Sequence, residues 1–246
     1  MKISNKILTT TFFGLLFFSF SLLAYVRMNT TEGHTITREG PTTTKTISMK
    51  YFKSIEASTG RLTLVEGEPK VTVTCAENIH EYINTKSNDG NLSIGIVPGS
   101  YENIGFIDIE VSARDLSSIK LYSDVQLRSD KSFKVDELTI LAAHGSSIEL
   151  TVEANTINAT SKDSGKMTLR GSSNLLNAYA KNSGNLHASE LVANEVVATV
   201  SDAGQLLTSV EKIMEVFISN AGQVMYKGNP EIKTKAISEA GQLTKL

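Results

Sequence analysis

Over the second half of the chain, small and apolar residues alternate with polar ones in short runs, and the runs recur. Leu138/Ile140/Ala142, Ile157/Ala159/Ser161, Leu176/Ala178/Ala180, Val196/Ala198/Val200 and Met214/Val216/Ile218 precede Ser146, Gly165, Gly184, Gly204 and Gly222 in turn, at the same three offsets. Two residues after each of these slots stand Ile148, Met167, Leu186, Leu206 and Val224, with Leu243 following Gly241. Leu150, Leu169, Ala188, Thr208 and Tyr226 come two residues later. A period of two places alternate side chains on one face, so each run predicts a strand with one buried side. A short corner separates the two runs of each unit, and its glycines, from Gly241 back to Gly165, are 19, 18, 20 and 19 residues apart. Self-similarity at about 20 residues predicts a stacked, solenoid architecture.

One such unit cannot bury its apolar face alone; stacking buries it. Six rungs at about 4.8 Å each make a rod roughly 25–30 Å long with a continuous core. The glycine is expected to supply the backbone freedom of the corner. Tyr122-Ser123-Asp124-Val125 reads as an earlier, degenerate corner. The final unit carries Lys233 and Lys235 where Met214 and Val216 stood, with Lys245 near its end. Lysines at an open sheet edge discourage edge-to-edge pairing.

Upstream, residues 50–121 alternate less regularly and predict a β-rich section that caps one end of the stack. Leu62–Val65 and Val71–Cys75 flank Glu66-Gly67-Glu68-Pro69 and predict a hairpin-like pair. Residues 76–83 suggest an irregular or helical connection. Asn88-Asp89-Gly90-Asn91 is a strong turn before a strand from Leu92 to Val97. Residues 28–49 carry Thr30, Thr31, Thr35, Thr37, Thr42, Thr43, Thr44 and Thr46 and read as a Thr-rich tether or extended lead-in. Before them, residues 7–26 form an uncharged apolar run, preceded by Lys2 and Lys6 and followed by Arg27. Twenty helical residues span about 30 Å, so residues 1–27 are expected to be a membrane-spanning signal anchor. Leu22 before Ala24 makes a poor cleavage site; cleavage instead would make the remainder a secreted protein. Either route exports the rest of the chain.

Composition adds exclusions. The formal net charge is −2, which gives no basic stripe for nucleic acid. The chain has a single cysteine, Cys75, so neither an intramolecular disulfide nor a multi-cysteine metal site is available. His34, His80 and His187 fall in unrelated contexts, and no metal or cofactor is expected. The most regular polar positions are the corners, where His144, Asp163, Asn182, Asp202, Asn220 and Glu239 form one ladder. Ser147, Lys166, Asn185, Gln205, Gln223 and Gln242 form another. Such side chains satisfy turn backbone and bond along a stack. The functional alternative is a polar stripe that binds a glycan or a peptide. Asp163 and Asp202 lie two rungs apart, which suits at most an inverting glycosidase geometry. No serine or cysteine nucleophile is placed beside His144 and Asp163, so no catalytic residue is assigned.

Tyr51-Phe52-Lys53-Ser54-Ile55, the turn and strand from Asn88 to Ile94, Asp115-Leu116-Ser117-Ser118-Ile119, the serial Ser/Ala-Gly corners and the stretch from Gly222 to Pro230 together resemble the head GIN domain of putative auto-transporter adhesins. The resemblance covers about Tyr51 to Leu246 and implies an exported, right-handed parallel β-solenoid at the bacterial envelope. The expected fold is therefore all-β: a single-stranded parallel β-solenoid, or β-helix, over residues 50–246 with its repeat rungs in 122–246. The expected function is a non-enzymatic, adhesin-like head that binds a glycan or protein at the cell surface. A carbohydrate-active β-helix enzyme and a self-associating scaffold are the alternatives.

Overall fold

The structure, a computed structural model, describes residues 35–129 and 131–246. In chain order the first strands are β1 (Ile36–Thr37), β2 (Thr42–Ser48), β3 (Ser54–Ala57), β4 (Arg61–Glu66) and β5 (Lys70–Ala76). A 3-10 turn (Glu77–Tyr82) leads to β6 (Ile83–Asn88), β7 (Asn91–Ile96), β8 (Tyr101–Glu102) and β9 (Asp108–Ala113). Then come β10 (Ser118–Leu121), β11 (Gln126–Ser129), β12 (Phe133–Ala142), β13 (Ser147–Lys162) and β14 (Lys166–Lys181). The last strands are β15 (Asn185–Val200), β16 (Gln205–Ile218), β17 (Gln223–Lys227), β18 (Glu231–Ile237) and β19 (Gln242–Lys245). A small unit pairs β1 with β8 in parallel. The other strands belong to the large unit, Arg38–Val97 with Ile104–Leu246.

The expected parallel β-solenoid is present. Each rung has a strand before its corner and a strand after it. Down the trailing side Ser147 pairs with Lys166, Lys166 with Asn185, Asn185 with Gln205, Gln205 with Gln223 and Gln223 with Gln242. Every inward position from Leu138 to Val224 named above is buried, including Ser161 and Thr208, and Tyr226 is 8% exposed. The interior polar groups are mostly bonded. Ser161 Oγ lies 2.7 Å from Gly165 O, and Ser146 Oγ donates to Leu121 O.

The corners correct one expectation. The left-handed residues are the two before the slot glycine: Asp163 and Ser164 (φ 51° and 63°), then Asn182 and Ser183 (50° and 59°). The glycine is required for space instead. A Cβ at Gly165 would stand 2.2 Å from Ala142 O, and one at Gly184 would stand 2.1 Å from Ser161 O. Tyr122–Val125 is a corner of the same kind, with Ser123 and Asp124 left-handed and Asp124 N–H donating to His144 O.

The upstream section both caps the stack and contributes to it. β3 and β4 form a complete rung, laid on β10 and β11. β7 and β9 form the next. The chain thus adds β7 and β9 outside the first rung before it returns beneath it at β10. The predicted hairpin of β4 with β5 does not form, because β9 lies between them, parallel to β4 and antiparallel to β5. The Asn88–Asn91 turn does close a hairpin, β6 on β7, with Asp89 and Gly90 left-handed. Outermost on β5 lies β2, so residues 42–48 of the Thr-rich lead-in hold a fixed place in the sheet. Their alternating β-branched threonines suit a strand. Thr44 and Thr46 hydroxyls meet those of Thr74 and Thr72 across it, at 2.9 and 3.2 Å.

At the other end, Lys235 replaces Val216 in register and is exposed, as the sequence predicts. Met214, however, pairs with Ile232 rather than Lys233, because a register shift sets Lys233 out of the ladder. The expected anchor, residues 1–27, lies outside the described residues. Among those described, no helix is long and apolar enough to cross a membrane.

Candidate functional site

The six residues of the corner ladder occupy one column. His144, Asp163, Asn182, Asp202, Asn220 and Glu239 all hold left-handed backbone, φ 47–52°. The carbonyl of each accepts an N–H from the second corner residue of the rung above: Gly145 N–H bonds Asp163 O, Ser164 bonds Asn182 and Ser183 bonds Asp202. Short polar side chains tolerate this conformation, which accounts for the Asp and Asn. The side chains then bond along the stack. Asn182 Nδ2 donates to Asp163 Oδ1 at 2.8 Å and Asn220 Nδ2 to Asp202 Oδ1 at 2.9 Å. Ser201 Oγ donates to Asp202 Oδ2. His144 Nε2 is 3.8 Å from Asp163 Oδ2, and its ring tilts over Tyr122 at 6.1 Å.

These bonds set the chemistry. The Asn182 hydrogen bond, with Lys162 and His144 nearby, holds Asp163 below its ordinary pKa; Asn220 and Ser201 do the same for Asp202. A carboxylate held low is a weak base and a poor proton donor near neutrality. The ladder therefore works first as the fastening of the corners. The second ladder is in register, and Asn185 Nδ2 donates to Gln205 Oε1 at 3.2 Å.

The remaining candidates take structural partners. His80 Nε2 lies 3.0 Å from Thr43 Oγ1, and His187 Nε2 lies 2.8 Å from Ser189 Oγ. Arg61 grips Asp108 through both carboxylate oxygens and covers the exposed Phe106 ring at 3.7 Å. Cys75 is buried in β5, and burial raises its thiol pKa. His34 lies outside the described residues. Among the described residues, no three His, Cys, Asp or Glu side chains converge on one point.

A different place on the rod is concave. β13, β14 and β15 run on through a second bend without a break, and Asn155, Asn174 and Asn194 stack there. Asn174 Nδ2 donates to Asn155 Oδ1 and Asn194 Nδ2 to Asn174 Oδ1, both at 2.7 Å. On one side of this amide ridge lies an open trough of about 700 Å³, lined by Asp136, Glu153, Ser172, Ser173, Val192 and Glu211 among others. On the other side a smaller hollow of about 400 Å³ reaches Glu195 and Lys212. Ser173 is 6% exposed, and its hydroxyl has no hydrogen-bond partner. This column was not among the sequence candidates. Its spacings of 19 and 20 residues match those of the corners, and that was the available signal.

The family model for "Putative auto-transporter adhesin, head GIN domain" matches residues 51–230. The fold is similar to that of a putative adhesin from Bacteroides fragilis, at TM-score 0.80 and 20% identity, covering 86% of this chain and all of that one. It is also similar to a putative adhesin from Parabacteroides distasonis, at TM-score 0.71 and 18% identity over 86% and 99% of the two chains. A structure described as a putative lipid binding protein from the same species has TM-score 0.66 and 18% identity over the same shares. No curated protein matches.

Proposed function

We infer, from the premise that this chain belongs to the auto-transporter adhesin head GIN domain family, that it is an exported cell-envelope protein whose solenoid is a binding head for an extended surface polymer. The observation that carries this reading is the trough along the second bend. Residues of four successive strands, β12 to β15, line it, together with Glu211 of β16, and three of these strands offer an asparagine at the rung spacing. A long, regular, open hollow suits a chain laid along the rod better than a compact metabolite, which favours a more enclosed pocket. We read the function as non-enzymatic, since the paired carboxylates of the corner ladder are tied to amides and held ionised. The corner ladder is in this reading a secondary contact stripe at most.

The uncharged run of residues 7–26 supports tethering to a membrane, with the solenoid on the exported side. An intact-mass measurement on protein purified from its own cells tests this: a mature N-terminus near Tyr25 overturns the tether. For the head, immobilised chain is challenged with fragmented cell envelope, purified peptidoglycan and extracellular matrix. Capture of at least one is expected, with loss on Ser172→Arg, a substitution at an exposed trough position. Capture of none of them overturns the proposal.

A further inference from the structure

We propose that the trough beside the Asn155–Asn174–Asn194 ridge is a polysaccharide site, and that it takes chains whose sugars carry no acidic group. The inference rests on the binding-head reading above and adds the ligand's chemistry. Three observations lead to it.

The first is what the trough can bond with. Main-chain N–H and C=O groups on either side of the bend are consumed by the ladder between rungs: Ala154 pairs with Ser173 and Ser173 with Ala193, Thr156 with Leu175 and Leu175 with Glu195. A peptide strand therefore finds no free edge there to extend. What remains are side-chain amides and hydroxyls. Asn174 and Asn194 each spend one Nδ2 hydrogen along the stack and keep the second, while Asn155 only accepts in these bonds and keeps both of its own. An amide both donates and accepts, which matches sugar hydroxyls that do the same. The asparagines recur about every 4.8 Å, close to the advance of one sugar in an extended β-linked chain, so a polysaccharide along the rod meets an amide at three successive rungs.

The second is Ser173. A buried hydroxyl without a partner carries a desolvation cost that nothing offsets. This one lines the trough floor, between Ala154 and Ala193 in register, where alanine would fit equally well. A ligand hydroxyl laid in the trough would supply the missing partner, and binding then removes the cost.

The third is charge. Asp136, Glu153 and Glu211 face the trough against Lys134 alone, and Glu195 and Lys212 across the ridge cancel each other. That field repels uronic or sulfated chains and accepts neutral or amino sugars. No aromatic ring lines the trough, so recognition works by hydrogen bonds, with Val135, Ala154 and Val192 as the apolar floor.

The test is calorimetric titration of the full chain with neutral hexasaccharides (chitohexaose, cellohexaose, mannohexaose) and with acidic ones (oligogalacturonate, oligoalginate). At least one neutral chain is expected to bind and neither acidic one. Ser173→Ala should weaken binding about 5-fold, the loss of roughly one hydrogen bond, without lowering thermal stability. Ser172→Arg should block it. Preference for an acidic chain, binding unmoved by both variants, or no neutral ligand at all overturns the proposal. In the last case, capture of envelope material that Ser172→Arg still blocks leaves the binding-head reading standing and removes only the ligand class.

Discussion

Asn182 Nδ2 donates to Asp163 Oδ1 at 2.8 Å from one rung to the next, and both residues hold left-handed backbone. The bond favours the ionised carboxyl and lowers its pKa, as Asn220 lowers that of Asp202. A folded-state pKa below the unfolded one contributes stability that is full above about pH 4 and is lost as pH falls through the folded value. The melting temperature should therefore drop below about pH 4. In Asp163→Asn/Asp202→Asn that acid arm should flatten, because neither position can then take up a proton. A thermal melt series from neutral to acid pH measures it; an acid arm of unchanged slope would count against the two bonds.

The two kinds of corner position should respond oppositely to the same atom. Gly184→Ala sets a Cβ where Ser161 O already lies within 2.1 Å, so a rung must shift. A loss of about 1–3 kcal/mol or more is expected. Ala203 holds φ 57° and carries a Cβ in left-handed backbone. Ala203→Gly removes that strain and should stabilise by about 0.5–1 kcal/mol after the entropy of the unfolded glycine is counted. Denaturant titrations of both variants decide it. Loss in both would mean the corner needs the methyl of Ala203.

Much of this architecture was legible because it is local and repeated. The column Ile148, Met167, Leu186, Leu206, Val224 follows from alternation and a period near 20, and its members are all buried. The corner ladder was equally visible. What stayed hidden has physical reasons. Glycine marks the corners, yet the close approach that demands it comes from the neighbouring rung's carbonyl, which is not a local feature. The insertion of β9 between β4 and β5 pairs residues about 40 positions apart, and nothing at Gly67 or Pro69 reports it. The Asn155–Asn174–Asn194 trough carries no turn signal, since the strands pass through the bend without a break.

Thr208 isolates the cost of an unbonded hydroxyl in the core. It is fully buried, in a column with Ala188 and Tyr226, and its Oγ1 has no partner. Valine has the same shape without the oxygen. Thr208→Val should raise stability by about 1 kcal/mol, because nothing is left unsatisfied by the change. Equilibrium unfolding of the variant checks this. A loss of similar size would show that the hydroxyl has a buried water for a partner.

The open end of the rod makes the last prediction. Among the described residues, β18 and β19 have the preceding rung on one side and no strand on the other, whereas the opposite end is closed by the antiparallel strands β2, β5 and β6. Lys235 takes the register place of Val216 and Lys233 is set out of the ladder, so the edge is both charged and irregular. Charge and bulges are the usual devices that stop one sheet edge from pairing with another. Lys235→Val with Lys233 deleted restores a flat, apolar edge. The variant should self-associate end to end, seen by light scattering as a concentration-dependent rise in mass above that of the parent. If the parent already associates to the same degree, or the variant stays at the parent's mass at high concentration, the lysines are not what protects this edge.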